Sequence, residues 1–246
     1  AVYEMGISMP GEMDRLVDIA RPETAVITNI GVSHIGNRGS RERICEEKGK
    51  IITNFSRQGK LYVCGNGDLR EMSAACIPYG RCRGECETIY YGTEQDCLYY
   101  GDRIQTTEAG QRFIFHYPEG ETEVRLSVMG IHNVNNAGAA LALACQYDVP
   151  LEGAVRALAD YQPIAMRGVV KEAHGVHIID DTYNASPDSI NSNLRALFDH
   201  SPSGGKIAVL ADVLELGERS HELHEGIGRF IVEEAEQGRK LSLLVT

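Results

Sequence analysis

The sequence predicts an α/β protein: a mainly parallel sheet flanked by helices, with a small antiparallel sheet added to it. Three observations carry that prediction. Short apolar runs alternate with segments of helical period along most of the chain. Residues 88–129 switch to two-fold alternation broken by glycine-rich turns. Strand–helix alternation then resumes beyond Pro163.

In order, Val2, Tyr3, Glu4 and Met5 read as a first short strand. Residues 11–20 follow as a helix with Met13, Leu16, Val17 and Ala20 on one face, stopped by Pro22. Residues 24–29 are a buried strand. Ser40 caps a long helix reaching about Phe55, with Ile44, Lys48 and Ile51 at helical spacing. A strand at 61–64 and a helix at 69–76 come next. Within 88–129 the alternating runs are 98–100, 112–116 and 123–128, and helices at 134–147 and 151–161 close this part. Residues 162–165 read as a linker, because proline disfavours helix and the periodicity lapses. Strands at 175–180, 206–210 and 241–245 then alternate with helices at 187–199 and 221–236. This divides the chain into one domain over 1–163 and the beginning of a second over 164–246. Both ends run straight into apolar strand-like segments, whereas natural termini are usually polar and frayed. The chain is therefore expected to be an internal piece of a longer protein.

Hydrophobic residues make up 43% of the 246 residues, enough to bury a real core, and no stretch approaches membrane-spanning length. The net charge of -11 argues against a nucleic-acid surface. Without a signal peptide, the expectation is a soluble cytosolic protein with no membrane insertion. The seven cysteines are scattered, and Cys82 with Cys86 has no second ligand pair nearby. Buried or incidental thiols are expected rather than zinc or disulfides.

In open α/β sheets, ligands gather at the carboxyl ends of strands. Glu4 falls at such an end, where a carboxylate could hold a phosphate-bound Mg²⁺ or simply face water. Asn29, Ile30, Gly31, Val32, Ser33 and His34 leave the second strand with another ligand-capable side chain. Lys48 lies in the following helix among charged neighbours and reads equally as a solvated face. His132-Asn133-Val134-Asn135-Asn136 marks a strand-to-helix corner. Asn133 and Asn136 lie a turn apart and share a side of the helix. Asparagine offers the donor and acceptor that an adenine edge or a ribose demands, although it is also a favoured helix cap. Arg167 follows the linker, either as a hinge-surface arginine or as a guanidinium that swings onto a terminal phosphate. Asp180-Asp181-Thr182-Tyr183-Asn184-Ala185-Ser186-Pro187-Asp188-Ser189 ends a strand in two acids and enters a helix. Ser186 and Pro187 are ordinary start signals, but the adjacent acids exceed what a turn requires. Asp212, Glu215 and Glu218 form a third polar loop on the same sheet edge. His221 and His224 share a helix face without a further metal ligand.

ATP chemistry calls for a phosphate loop, Gly-x4-Gly-Lys-Ser/Thr. None is present: Ser203-Gly204-Gly205-Lys206 continues into Ile207 and precedes a strand. Either the chain does not use ATP in this way or the loop lies upstream of residue 1.

Taken in order, Glu4-Met5-Gly6 with Pro10-Gly11-Glu12, Thr28-Asn29-Ile30 with His34 and Lys48, His132-Asn133 with Asn136, the run from Asp180 to Ser189, and the run from Val209 to Glu218 resemble the Mur ligase family. The resemblance runs the length of the chain. The Asp-Asp-Thr-Tyr-Asn turn is most like the branch that adds D-alanyl-D-alanine to UDP-N-acetylmuramoyl-tripeptide. Ala211 departs from the family's usual glycine, keeping a small residue. The phosphate loop and the N-terminal UDP-sugar domain of the family are not represented. The implied fold is most of the central ATPase domain followed by a truncated Rossmann-like C-terminal domain.

The resemblance implies ATP and two Mg²⁺ ions as cofactors and a monomer working in the cytoplasm on peptidoglycan precursors. The tripeptide carboxylate attacks the γ-phosphate of ATP, and the dipeptide amine then attacks the acyl phosphate. By motif, Glu4 holds one Mg²⁺; His34 and Lys48 serve the second, with Lys48 carbamylated. A carbamate is an oxygen-donor anion where an ammonium would repel the metal. Asn133 and Asn136 contact the nucleotide, and Arg167 the γ-phosphate. Asp181 with Asn184 reaches the nucleotide from the C-terminal domain, Asp180 and Asp181 remaining alternatives for that contact. Isolated residues 1–246 are expected to be inactive. Two other readings stand beside this one: a sibling ATP-dependent amino-acid ligase, including folylpolyglutamate synthase, and a non-catalytic nucleotide-binding module.

Overall fold

A computed structural model describes residues 1–32, 35–55, 58–107, 110–200 and 204–246, apart from the side chains of Asn37 and Arg38. The first part of the chain builds one six-stranded sheet in the order β1 (Thr24–Ile27), β2 (Gln58–Cys64), β3 (Glu85–Gly92), β4 (Tyr99–Thr107), β5 (Gly110–Tyr117), β6 (Gly120–Leu126). Pairs β1–β2, β2–β3 and β3–β4 are parallel, and β4–β5 and β5–β6 antiparallel. The alternating runs therefore do not form a sheet of their own. β4 meets β3 over Tyr91–Tyr99 and Gly92–Tyr100, which welds the antiparallel hairpins onto the parallel strands.

Helices α1 (Glu12–Ala20), α2 (Ile35–Arg38), α3 (Arg41–Gly49), α4 (Leu69–Cys76), α5 (Ile131–Gln146) and α6 (Leu151–Ala159) accompany this sheet. α5 lies against β2, β3, β4 and β5. Its buried face is made of small residues (Ala137, Gly138, Ala139, Ala142) with Leu141, so the helix axis approaches the sheet closely. Tyr62, Tyr91, Phe113 and Phe115 fill the core beneath it. Ser40 caps α3 by accepting from the Arg43 N–H at 3.3 Å. The α-helix stops at Gly49 and one 3₁₀ turn, Lys50–Ile52, completes the predicted long helix. An added Cβ on Gly49 would lie 2.8 Å from the Pro78 ring, so this glycine marks close packing.

The predicted strand at 2–5 does not form. Val2 is 99% exposed, Glu4 is exposed, and among the described strands β1 pairs with β2 alone. Alternation supplies a face, but a strand needs a ladder partner, and none of the described strands runs beside 2–5. Residues 161–168, which include the expected linker at 162–165, carry neither helix nor strand.

Beyond the linker stand β7 (Val169–Ala173), β8 (Val176–Asp180), α7 (Pro187–Asp199), β9 (Ile207–Val209), α8 (Ser220–Glu236) and β10 (Leu243–Val245). β9 and β10 pair in parallel, as βα alternation requires. β8 does not join them: it pairs antiparallel with β7, a strand the periodicity missed. The cause is the two-residue turn His174-Gly175, with φ of 52° and 76°. Such left-handed pairs close tight hairpins whose twist matches the strands. All seven cysteines are free thiols, in line with the reading of the sequence. Among the described residues no helix is long and apolar enough to cross a membrane.

Candidate functional site

Asn29, Ile30, Gly31 and Val32 leave the carboxyl end of β1. Ile30 is buried, and its carbonyl accepts from Arg41 Nε at 2.6 Å. The Arg41 guanidinium also holds Asp68 at 2.5 and 3.1 Å, a two-point contact that fixes the loop's direction. Lys48, on the last turn of α3, donates from Nζ to the Asn29 carbonyl at 2.6 Å. The amine is thus at the strand end rather than spread over a solvated helix face. Its neighbour Glu47 is buried instead and ties α3 to α1. Glu47 accepts from the Gly11 N–H at 2.6 Å and pairs with Lys50 at 2.7 Å. Asp14, followed by Glu47, holds the Lys50 ammonium above its usual range.

Three ligand assignments meet different outcomes here. Lys48 stands at the end of β1, on the Asn29 carbonyl. His34 lies outside the described residues. Glu4 is exposed in an irregular segment and makes no hydrogen bond or ion pair among the described residues, because the strand meant to carry it is absent. The donor types, carboxylate and strand-end carbonyl oxygen, suit magnesium. Among the described residues, however, no three His, Cys, Asp or Glu side chains stand together as a metal cluster.

The second group of residues opens α5. Gly130 has φ of 99°, and a Cβ there would lie 2.5 Å from the His132 ring, so only glycine turns this corner. Asn133 donates from Nδ2 to the Met129 carbonyl at 2.7 Å and stands 3.1 Å from His132 Nε2. Its amide group therefore serves the corner without capping α5, whose N-cap is Gly130 with no side-chain cap hydrogen bond. Asn135 is occupied as well, accepting from Asn66 Nδ2 at 3.1 Å. Asn136 alone of the three asparagines is exposed, with no side-chain hydrogen bond to a described residue. It is free to meet a ligand.

His132 is mostly buried, and burial pushes its imidazole below the ordinary 6.5, against the opposing pull of the Asp181 carboxylate. Because the Asn133 amide donates to Nε2, the proton belongs on Nδ1, which finds no partner. The unfolded chain takes up this proton first as pH falls. The residue's contribution to stability is therefore full above pH 6.5 and is lost as pH falls through 6.5 towards the folded value. Urea unfolding between about pH 7.5 and about pH 5.5 is expected to show this loss. His132→Gln is expected to flatten the profile, and an unchanged slope in that variant would refute the assignment.

The third group ends β8. Asp180 is bound by Lys171 at 2.7 Å and by the Thr182 hydroxyl at 2.8 Å, which hold its carboxyl below the usual carboxylate range. Asp181 instead accepts from Asn193 Nδ2 of α7 at 2.5 Å, and its charge reaches His132. Of the two acids, Asp181 is the one whose charge acts on His132. The Asn184 side chain accepts from the next N–H, Ala185, at 2.9 Å, and the residue is exposed. Ser186 and Ser189 form a reciprocal capping box on α7 with Pro187 in the first turn. The Arg167 guanidinium lies 4.0 Å above the Tyr183 ring, and the Tyr183 N–H donates to Met166 at 3.1 Å. Arg167 is thereby fixed beside the turn that bears Asp181 and Asn184.

Sequence reasoning gave no role to three features, two of which join the two parts of the chain. Asp188 accepts from the Val32 N–H at 3.1 Å, although it reads as an ordinary acid in a first helical turn. Gly36 and Gly217 meet backbone to backbone. Arg41 anchors the β1 loop. Only the glycines left a trace in the sequence, and glycine is too frequent in loops to point to a partner.

These features define a two-part α/β protein with Lys48 held at the carboxyl end of β1 and Asp181 just past that of β8, where such sheets take their ligands. Residues 1–144 match the Mur ligase middle domain, and residues 167–237 match the Mur ligase glutamate ligase domain. The chain belongs to the Mur ligase family. It is 35% identical over 94% of its length to UDP-N-acetylmuramoyl-tripeptide–D-alanyl-D-alanine ligase of Bacillus subtilis, covering 48% of that protein. It superposes on MurF from Acinetobacter baumannii with a TM-score of 0.81 at 29% identity, covering 98% of this chain and 55% of that one. MurF from Thermotoga maritima, solved in complex with ADP, gives a TM-score of 0.80 at 28% identity, with 97% and 56% covered. The chain spans about half the length of the relatives it matches.

Proposed function

We propose that the full-length protein containing this chain is an ATP-dependent ligase joining D-alanyl-D-alanine to UDP-N-acetylmuramoyl-tripeptide in peptidoglycan precursor synthesis. The observation that carries the proposal is the packing of α7 on α5, with the Asp181 carboxylate pulling on His132 of the α5 corner and Arg167 stacked on Tyr183 in the same turn as Asp181. Family membership and the MurF relatives support the choice of reaction. The domain boundary at 163/164, a cytoplasmic location and a monomeric state belong to the same reading.

In this reading a tripeptide carboxylate oxygen attacks the γ-phosphorus of ATP, and the bond to ADP breaks. The dipeptide amine then adds to the acyl carbon, loses a proton to solvent, and expels phosphate as the amide forms. Chemistry of this kind depends on positioning and on neutralising charge. Asn136, with Asn133 behind it, orients the nucleotide at the start of α5. Asp181 and Asn184 hold it from the C-terminal side, and Arg167 stabilises charge on the transferring phosphoryl group. Glu4, His34 and carbamylated Lys48 are the residues that would hold two Mg²⁺ ions, which when bound neutralise the phosphate oxygens. Carbamylation would leave the Lys48 nitrogen one N–H for the Asn29 carbonyl and add the anionic oxygens that would face the metal.

The test is phosphate release from ATP by the full-length protein. Release is expected to require both UDP-N-acetylmuramoyl-tripeptide and D-alanyl-D-alanine and to match amide product in amount. Release supported by a single amino acid instead of the dipeptide would move the protein to a sibling ligase. Release without any amide product would end the proposal.

A further inference from the structure

His224 on α8 is bonded at both ring nitrogens. Nε2 accepts from the Val213 N–H at 3.0 Å, and Nδ1 lies 2.7 Å from the Ser220 carbonyl. A single neutral tautomer satisfies both: Nδ1 carries the proton and Nε2 the lone pair. Asp212, 4.0 Å from Nε2, is beyond hydrogen-bond reach and does not compete. The imidazole therefore pins the loop that follows β9, where Val213 and Leu216 are buried.

That loop turns at Glu215 and Gly217, with φ of 62° and 59°. The Glu215 carbonyl accepts from the Gly36 N–H of α2 at 3.1 Å. A Cβ added to Gly36 would lie 2.6 Å from the Gly217 nitrogen, and one added to Gly217 would lie 2.8 Å from the Gly36 Cα. The approach exists because neither residue has a side chain. A second contact stands on the other side of His34. Asp188 of α7 accepts from the Val32 N–H at 3.1 Å, and a Cβ on Gly31 would lie 2.5 Å from its Oδ2. Two elements of the C-terminal part thus hold backbone amides that bracket His34 in the sequence.

We propose that His224 is a positioning residue: it shapes the loop after β9 so that the C-terminal part docks on Gly36 and, with Asp188 on Val32, holds the backbone at these two positions. The consequence for catalysis rests on the ligase reading; the docking itself does not.

Amide hydrogen exchange of this chain, followed by NMR at Gly36, Val32 and Tyr62, tests the proposal. His224→Leu keeps the bulk but removes the acceptor. It is expected to speed exchange at Gly36 by about tenfold or more. Val32, held by Asp188, and Tyr62 in the core sheet are expected to stay protected. His224→Gln places an amide oxygen near the position of Nε2 and is expected to keep Gly36 within about twofold of the native rate. Gly217→Ala, with histidine intact, is expected to release Gly36 as His224→Leu does. If His224→Leu leaves Tyr62 unprotected, the Gln and Gly217 variants decide between them. Unchanged protection at Gly36 in His224→Leu, or equal loss in His224→Gln, overturns the proposal. No nucleotide enters the readout, so failure of the ligase assignment leaves this result standing, and the reverse holds too.

Discussion

Lys48→Ala in the full-length protein is expected to lower dipeptide-dependent turnover by about 10²–10³-fold, the loss typical when one preorganised charge-stabilising group is removed. The fold should survive it. α3 keeps its Ser40 cap and its buried Ile44 and Cys45, so the loss should be confined to the bond to Asn29, about 1–2 kcal/mol. Lys50, two residues on, supplies the contrast. Its ammonium sits between Asp14 and buried Glu47, and it approaches no strand end. Lys50→Ala leaves the Glu47 carboxylate without its cation and should cost about 1–3 kcal/mol of stability, with turnover largely kept. Steady-state kinetics and urea unfolding on both variants check the pair. A Lys48→Ala enzyme with near-native turnover would mean that the amine at Asn29 is only a structural tie.

Asn136→Ala is expected to weaken nucleotide binding by the full-length protein about tenfold to thirtyfold, worth about 1.4–2 kcal/mol, without changing stability. The side chain is exposed at the start of α5 and has no described partner to lose. Asn133→Ala should behave differently, because its amide holds the Met129 carbonyl at the corner. Loss of that bond should cost about 1 kcal/mol of stability, with weaker binding as a consequence of a looser corner. Calorimetric titration with ATP and thermal unfolding separate the two variants. If Asn136→Ala unfolds more easily and binds ATP normally, the roles given to these asparagines are wrong.

Features set by neighbouring residues were legible in the sequence. Ser40 and Ser186 cap the helices they were expected to cap, and the period of residues 131–146 gives a helix with one buried face. The position of Lys48 at a strand end was readable only through family resemblance, since its flanking glutamates and lysine look like an ordinary charged surface. Features set by distant residues were not legible. The segment 2–5 alternates like a strand, but pairing depends on a partner that periodicity cannot name. The His174-Gly175 turn lacks the usual Asn-Gly or Asp-Gly signature, so β7 and the antiparallel course of β8 went unread. Asp188, Gly36 and Gly217 matter because of what meets them from the other part of the chain. The proposal of Asp181 over Asp180 likewise needed three dimensions. Lys171 occupies one acid, and only the other bears on His132.

The central claim is that groups from both parts of the chain converge on one magnesium-bound nucleotide. A structure of the full-length protein with Mg²⁺ and a non-hydrolysable ATP analogue tests it most directly. The account predicts one ion on Glu4 and a second on His34 and a carbamate at Lys48, at about 2.0–2.1 Å for the oxygen ligands, with Asn136 and Asp181 against the nucleotide. Metal bound elsewhere, with Lys48 still an ammonium on the Asn29 carbonyl and Glu4 in solvent, would contradict it.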